Sequence, residues 1–148
     1  MRIVCQRVLE AEVKVNEQPV GKIGKGLLAY LGVGKGDTSN DAQFIADKLV
    51  NLRIFADEAG KMNRSVLDIG GDILLINFTL HGDCRKGRRP GFDAAAEPSL
   101  AEELYEKTAA LVAAQGVGVE KGVFGQYMQV SSVNDGPVTF LLDSAKQF

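Results

Sequence analysis

Two stretches of this chain carry the spacing of an amphipathic helix, whereas apolar runs of strand length recur from end to end. Two helices cannot cover both faces of a large sheet. The sheet must therefore curl towards a barrel, or a second subunit must cover it. The 17 glycines among 148 residues fit this picture, because they cut the chain into short strands joined by tight turns. Residues 3–15 open the series and end in alternation, with Val13 and Val15 on one face and Glu12 and Lys14 on the other. A turn at Asn16-Glu17-Gln18-Pro19 lets residues 20–23 run back as a hairpin. Residues 27–33 are continuously apolar and read as a central strand. Thr38 or Asn40 can cap a helix over residues 41–51, whose apolar face carries Phe44, Ile45 and Leu49. A short strand at 52–55 and a buried strand at 72–80 follow. Ser99-Leu100-Ala101-Glu102 has the form of a capping box. The helix it opens runs to Gln115, stops at Gly116, and buries Leu100, Leu104, Thr108, Leu111 and Val112. Strands at 128–133 and 138–142 close the chain. The order predicts one α+β domain over residues 1–148, a curled, barrel-like sheet with two main helices, completed by homodimerisation.

Composition removes several classes of function. Hydrophobic residues at 45% and charged residues at 24% describe a globular chain. A formal net charge of -2 argues against coating long nucleic acid, so no DNA partner is expected. The single histidine, His81, rules out a His-pair metal site, and Cys5 and Cys84 form no Cys-x-x-Cys pair. The expectation is two free thiols, no metal and no cofactor. The opening Met1-Arg2-Ile3-Val4-Cys5-Gln6-Arg7 is charged too early for a signal peptide, and no apolar run reaches bilayer length. A cytoplasmic protein without a membrane partner is expected. The glycine-lysine pairs fail as phosphate loops, since Gly34-Lys35 is followed by Gly36 where Ser or Thr is required. Gly24-Lys25-Gly26-Leu27-Leu28-Ala29 precedes a strand and lacks the strand-to-helix context of a dinucleotide site. No Gly-x-Ser-x-Gly elbow accompanies His81.

Three segments carry chemical information. Asn77-Phe78-Thr79-Leu80 ends an apolar strand with polar groups, which need partners if buried. Residues 81–98 form the longest irregular stretch, and Arg85-Lys86-Gly87-Arg88-Arg89 concentrates four basic side chains there, a natural contact for an anion or an RNA backbone. Asn134-Asp135-Gly136-Pro137-Val138-Thr139 reads as a hairpin turn, or as a tight turn whose Gly-Pro bond is cis and whose glycine lets a ligand approach the backbone.

Together and in this order, these segments resemble the D-aminoacyl-tRNA deacylases. Arg2-Ile3-Val4-Cys5-Gln6-Arg7-Val8, Gly21-Lys22-Ile23-Gly24-Lys25-Gly26-Leu27-Leu28, Asn51-Leu52-Arg53-Ile54-Phe55 and Met128-Gln129-Val130 extend the likeness over nearly the whole chain. The resemblance implies hydrolysis of the ester between a D-amino acid, or glycine, and the terminal adenosine of tRNA. It implies a homodimer in which Gly136-Pro137 of one subunit enters the other's site and excludes L side chains, with Arg7 holding that loop from across the interface. By the same resemblance, Thr79 and Phe78 are the catalytic positions. Asn77, Met128, Gly136, Pro137 and Arg7 bind substrate, and Arg85, Lys86, Arg88 and Arg89 bind tRNA. The family's strand-end motif is Ser-Gln-Phe-Thr-Leu, and here Ile76 and Asn77 replace its first two residues. Asn keeps an amide with shorter reach, and Ile76 has no hydrogen-bonding side chain.

An aminoacyl ester is already activated, so backbone N–H groups near Phe78 and Thr79 can serve as an oxyanion hole, and the ribose 2′-hydroxyl can activate water. Thr79 as nucleophile needs a base, and positioning is the favoured role. Two further readings stand beside this one. One is a sister-type deacylase of L-mischarged tRNA with a trans Gly-Pro bond. The other is a non-catalytic tRNA-binding module that uses the basic loop.

Overall fold

The computed structural model describes residues 1–147. Strand β1 (Arg2–Val15) turns into β2 (Gln18–Ile23), then β3 (Gly26–Gly32), helix α1 (Ser39–Asn51), the small pair β4 (Phe55–Ala56) and β5 (Met62–Arg64), β6 (Asp72–Asn77), helix α2 (Pro98–Ala114), β7 (Gly118–Lys121) and β8 (Gln129–Asp143). The main sheet is mixed. β1 pairs antiparallel with β2, β3 and β8, while β3, β6 and β7 run parallel. The helices supply the crossovers that parallel neighbours require.

β3 and β6 are buried on both faces, which is why they read as unbroken apolar runs. Leu27, Ala29, Leu31, Ile73 and Leu75 face the two helices, packed with Ile45 and Leu49 of α1 and Leu104, Tyr105 and Val112 of α2. Leu28, Leu74 and Ile76 face the other way and meet Val8, Ala11, Val13 and Ile23 inside the curl of the sheet. A Cβ placed on Gly21 of β2 would lie 2.8 Å from the carbonyl oxygen of Lys121 on β7. The far strands therefore fold towards each other, and the sheet is barrel-like with both helices on one outer face. Phe44 of α1 and Leu100 and Leu111 of α2 are only partly buried, so the stripes lie slightly off their expected lines.

Several boundaries moved. Asn16 and Glu17 both take positive φ, forming a two-residue turn, so β2 starts at Gln18 and pairs with Val15 at once. Glu97 caps α2 with Pro98 in its first turn, which places Ser99 inside the helix and dissolves the expected capping box. The capping box sits instead on α1, where the Asp41 carboxylate accepts from the Thr38 N–H at 2.8 Å and hydroxyl at 2.9 Å. The chain end is one strand rather than a hairpin: both halves of β8 run antiparallel to β1. From Gln6 to Val8, β1 advances two residues while β8 goes from Thr139 to Asn134, so Asn134-Asp135-Gly136-Pro137 is a bulge.

Both cysteines are free thiols. Cys5 lies in the core, where burial pushes its pKa up to about 11, and Cys84 is exposed. Among the described residues, no helix is long and apolar enough to cross a membrane.

β3 positions the segment after β6. A Cβ on Gly32 would lie 2.7 Å from the Leu80 Cβ, 2.8 Å from its nitrogen and 3.0 Å from the Phe78 carbonyl. Gly32→Ala must push the 78–80 turn aside. Chemical denaturation should show a loss of about 1–3 kcal/mol, typical of overpacking.

Candidate active site

β6 ends in a single backbone bond, from the Phe78 N–H to the Leu31 carbonyl at 2.8 Å. Beyond it the Leu80 N–H turns back to the Phe78 carbonyl at 3.1 Å, and the chain leaves the sheet. Asn77, Phe78 and Thr79 thereby stand at the end of a strand whose other residues are locked in the core. They form one wall of an open groove of about 450 Å³, with Tyr30, Ile76, Phe92, Gln126, Tyr127, Met128 and Val130 around it. Phe78 is 56% exposed, and its ring meets Tyr30 edge-on at 5.9 Å and 71°. Behind the same three residues lies a smaller cleft bounded by Leu31, Tyr105 and Phe124. Burial and Glu106 raise the Tyr105 pKa, and its hydroxyl donates to the Leu75 carbonyl at 2.8 Å.

The groove contains no Asp, Glu, His, Lys, Arg or Cys among its walls. Thr79 has no base beside it. The two amides proposed as oxyanion donors also differ. The Phe78 N–H is committed to Leu31, whereas the Thr79 N–H has no partner among the described residues. Phe78 contributes a ring rather than a donor. Among the groove's polar side chains, Asn77 stands out because its Oδ1 is buried without a hydrogen bond among the described residues. An acceptor left so costs about 1–3 kcal/mol until a donor arrives. Ile76 packs inside the barrel with Met128 partly buried against it, so the position that carries Ser in the familiar motif is here an apolar floor.

Gly136 and Pro137 are exposed and do not line this groove. Their peptide bond is cis. The Asn134 side chain spans the bulge, accepting from the Val138 N–H at 2.9 Å and donating to the Thr139 hydroxyl at 3.2 Å. Arg7 anchors the loop within the same chain. Its Nε donates to the Asp135 carbonyl at 3.1 Å and lies 3.2 Å from the Asp135 carboxylate, while Nη1 reaches the Ile54 carbonyl at 2.6 Å. The hold expected across an interface is thus seen within one protomer. Gly136 has φ +133°, and a Cβ there would lie 3.0 Å from Arg7 Nη2 and 2.7 Å from Val138 Cγ2, so only glycine fits.

The basic loop is a hairpin tip whose base is the Asp83–Gly91 bridge, one residue before Phe92 enters the groove wall. Arg85 is spoken for. It forks onto Asp83 at 2.9 and 2.8 Å and holds that carboxyl down to a pKa of about 2. Lys86, Arg88 and Arg89 are exposed and have no ion-pair partner among the described residues. His81 belongs to a separate groove with Arg2, Asp83 and Arg85. Burial lowers its pKa, and its ring packs against Gly34. No cluster of three His, Cys, Asp or Glu able to hold a metal ion occurs among the described residues.

The family model described as D-Tyr-tRNA(Tyr) deacylase matches residues 4–143. This chain belongs to that family. It is a hydrolase acting on ester bonds. Two relatives named D-aminoacyl-tRNA deacylase, from Fervidobacterium nodosum and Desulforamulus reducens, are 56% and 55% identical over the whole of both chains. A solved structure named c-Myc DNA Unwinding Element Binding Protein superposes with a TM-score of 0.92 at 35% identity, covering 97% of this chain and 98% of that one. A probable eukaryotic D-amino acid tRNA deacylase shares the fold, with a TM-score of 0.82 at 18% identity over 95% and 97% of the two chains.

Sequence reasoning placed Asn77, Phe78, Thr79 and Met128, which the fold brings together. It missed Tyr30, Phe92 and Tyr127, whose exposure depends on tertiary packing. It also missed the role of Asn134 in the bulge. Arg7→Ala should leave two carbonyls short of a donor and lower stability by about 1–3 kcal/mol in urea titration, with Arg7→Lys between the two because an ammonium cannot fork.

Proposed function

We propose that this protein hydrolyses the ester joining a D-amino acid, or glycine, to the terminal adenosine of tRNA. The observation that carries the reading is a groove with no carboxylate, imidazole, amine, guanidinium or thiol among its described wall residues, at a strand end where the Thr79 amide has no partner among the described residues. Such a site suits an ester that needs positioning and charge stabilisation more than an enzyme-supplied base. Water attacks the ester carbonyl carbon, and the oxyanion is met by the Thr79 N–H. The ribose 2′-hydroxyl relays the water's proton to the departing 3′-oxygen. The carbonyl–oxygen bond to ribose breaks, releasing the amino acid and tRNA. The buried Asn77 Oδ1 accepts a donor of the adenosine, and Phe78 and Met128 enclose it.

The functional unit in this reading is a homodimer. β8 is a 15-residue edge strand, and Leu9, Val133, Phe140 and Leu141 leave apolar surface uncovered near it. The partner's Gly136-Pro137, held by Arg7, closes the groove and turns its backbone carbonyls towards the substrate's α-carbon. An L side chain collides with that backbone, whereas a D side chain points away and glycine has none. Lys86, Arg88 and Arg89 then meet tRNA phosphates, with Arg85 tied to Asp83. Three free cations grip one tRNA end despite a net charge of -2. We assign the reaction to the cytoplasm.

Incubation with D-aminoacyl-, L-aminoacyl- and glycyl-tRNA separates the readings. Loss of the D and glycyl esters with retention of the L ester is expected. Cleavage of the L ester alone favours the sister activity, and tRNA binding without turnover favours the binding module. Thr79→Ala should retain substantial activity, because the amide remains. Near-total loss, together with a trapped acyl adduct on the unmodified protein, would make Thr79 the nucleophile. Arg88→Ala with Arg89→Ala should weaken binding and flatten its dependence on log salt by about one unit per phosphate contact removed.

A further inference from the structure

The groove's rim holds an aromatic ring that folding does not explain. Tyr127 is 88% exposed, the most exposed of the large hydrophobic side chains. A core or packing role would bury far more of it. Its neighbour Met128 shows the contrast, since the Met128 sulfur would lie 2.5 Å from a Cβ on Gly122 and its side chain is seated inward. The turn before it, closed by the Gln126 N–H to the Val123 carbonyl at 3.2 Å and carrying Gly125 at φ +72°, presents residue 127 outward at the groove's edge. The groove below already has its rings, with Phe78 braced on Tyr30 and Phe92 leaning on the position of Gly82. Tyr127 has no ring or hydrogen-bond partner among the described residues. It lines the same groove as Phe92, and the free cations Lys86, Arg88 and Arg89 lie on the loop that leads into the groove wall at Phe92.

We propose that Tyr127 is a stacking platform for the base immediately preceding the terminal adenosine. This rests on the deacylase reading for its substrate. An exposed ring on a groove whose wall continues into a cationic loop suits single-stranded nucleic acid, because every base offers a π-face and the cations follow the backbone. Tyr127 is accordingly a positioning residue. It holds the single-stranded end that carries the ester into the groove.

The test compares two esters and two ligands. Tyr127→Ala should raise KM for D-tyrosyl-tRNA roughly tenfold, within the range for losing one base–aromatic stack, with kcat little changed. The D-tyrosyl ester of adenosine, which has no preceding base, should be cleaved within about twofold of the unmodified protein. Tyr127→Trp should restore the tRNA substrate. In binding, Tyr127→Ala should weaken an oligonucleotide ending in CCA by a similar factor and leave adenosine monophosphate unaffected. Equal effects on both esters, or no effect on either, overturn the proposal. So does a fall in sedimentation mass on Tyr127→Ala, which would assign the ring to a subunit contact. If the unmodified protein cleaves neither ester but binds the CCA oligonucleotide through Tyr127, the deacylase reading fails while the stacking platform stands.

Discussion

The parallel pairing of β3 with β6 is the constraint on which the rest of the molecule depends. Both strands are buried on two faces, with Leu31 and Leu75 towards the helices and Leu28 and Leu74 inside the curl. A slip of one residue would exchange these two sets and face each against the wrong packing surface. The register is therefore firm up to its last bond, the Phe78 N–H to Leu31. The groove wall starts at this end of the strand, with Asn77, Phe78 and Thr79. The groove is built on the end of a rigid element, which holds the Thr79 amide and the Asn77 side chain in place without a loop having to find its own conformation.

A second preformed unit lies elsewhere on the chain. Arg7 is nearly buried, and its guanidinium joins β1 to the β8 bulge and to the residue before β4 through two backbone carbonyls. Asn134 ties the two ends of the bulge together. Gly136 and Pro137 are presented outward from a braced frame. One protomer thus carries the groove in one place and the braced Gly136-Pro137 bulge in another. Charge is organised on the same local scale: within residues 83–89, Asp83 pairs with Arg85, while Lys86, Arg88 and Arg89 have no ion-pair partner among the described residues.

The central strands were legible because burial on both faces leaves a continuous apolar run, and α1 and α2 because burial on one face leaves a stripe. β7 was not legible. Gly118-Val119-Glu120-Lys121 offers one apolar side chain, and it becomes a strand through its parallel pairing with β6. The bulge of β8 was misread for a related reason. Asn-Asp-Gly-Pro is a turn signal at short range, but β1 is long enough to pair with both flanks, and that long-range pairing keeps them in one strand with the signal held as a bulge. Ser99 looked like a cap, yet Pro98 had already taken a first-turn position in α2.

Sequence by itself determined the fold class, the family, and that Asn77, Phe78 and Thr79 stand together at a strand end, because a polar group ending a buried run and an ordered set of motifs are visible without coordinates. Tertiary structure decided which of those groups are still free to act. Whether the Phe78 or the Thr79 amide is spent, whether Arg85 or Arg88 is paired, and whether Tyr127 is buried or bare depend on neighbours distant in the chain. Hydrogen bonds and exposure belong to pairs of residues in space, and only the folded chain brings those pairs together.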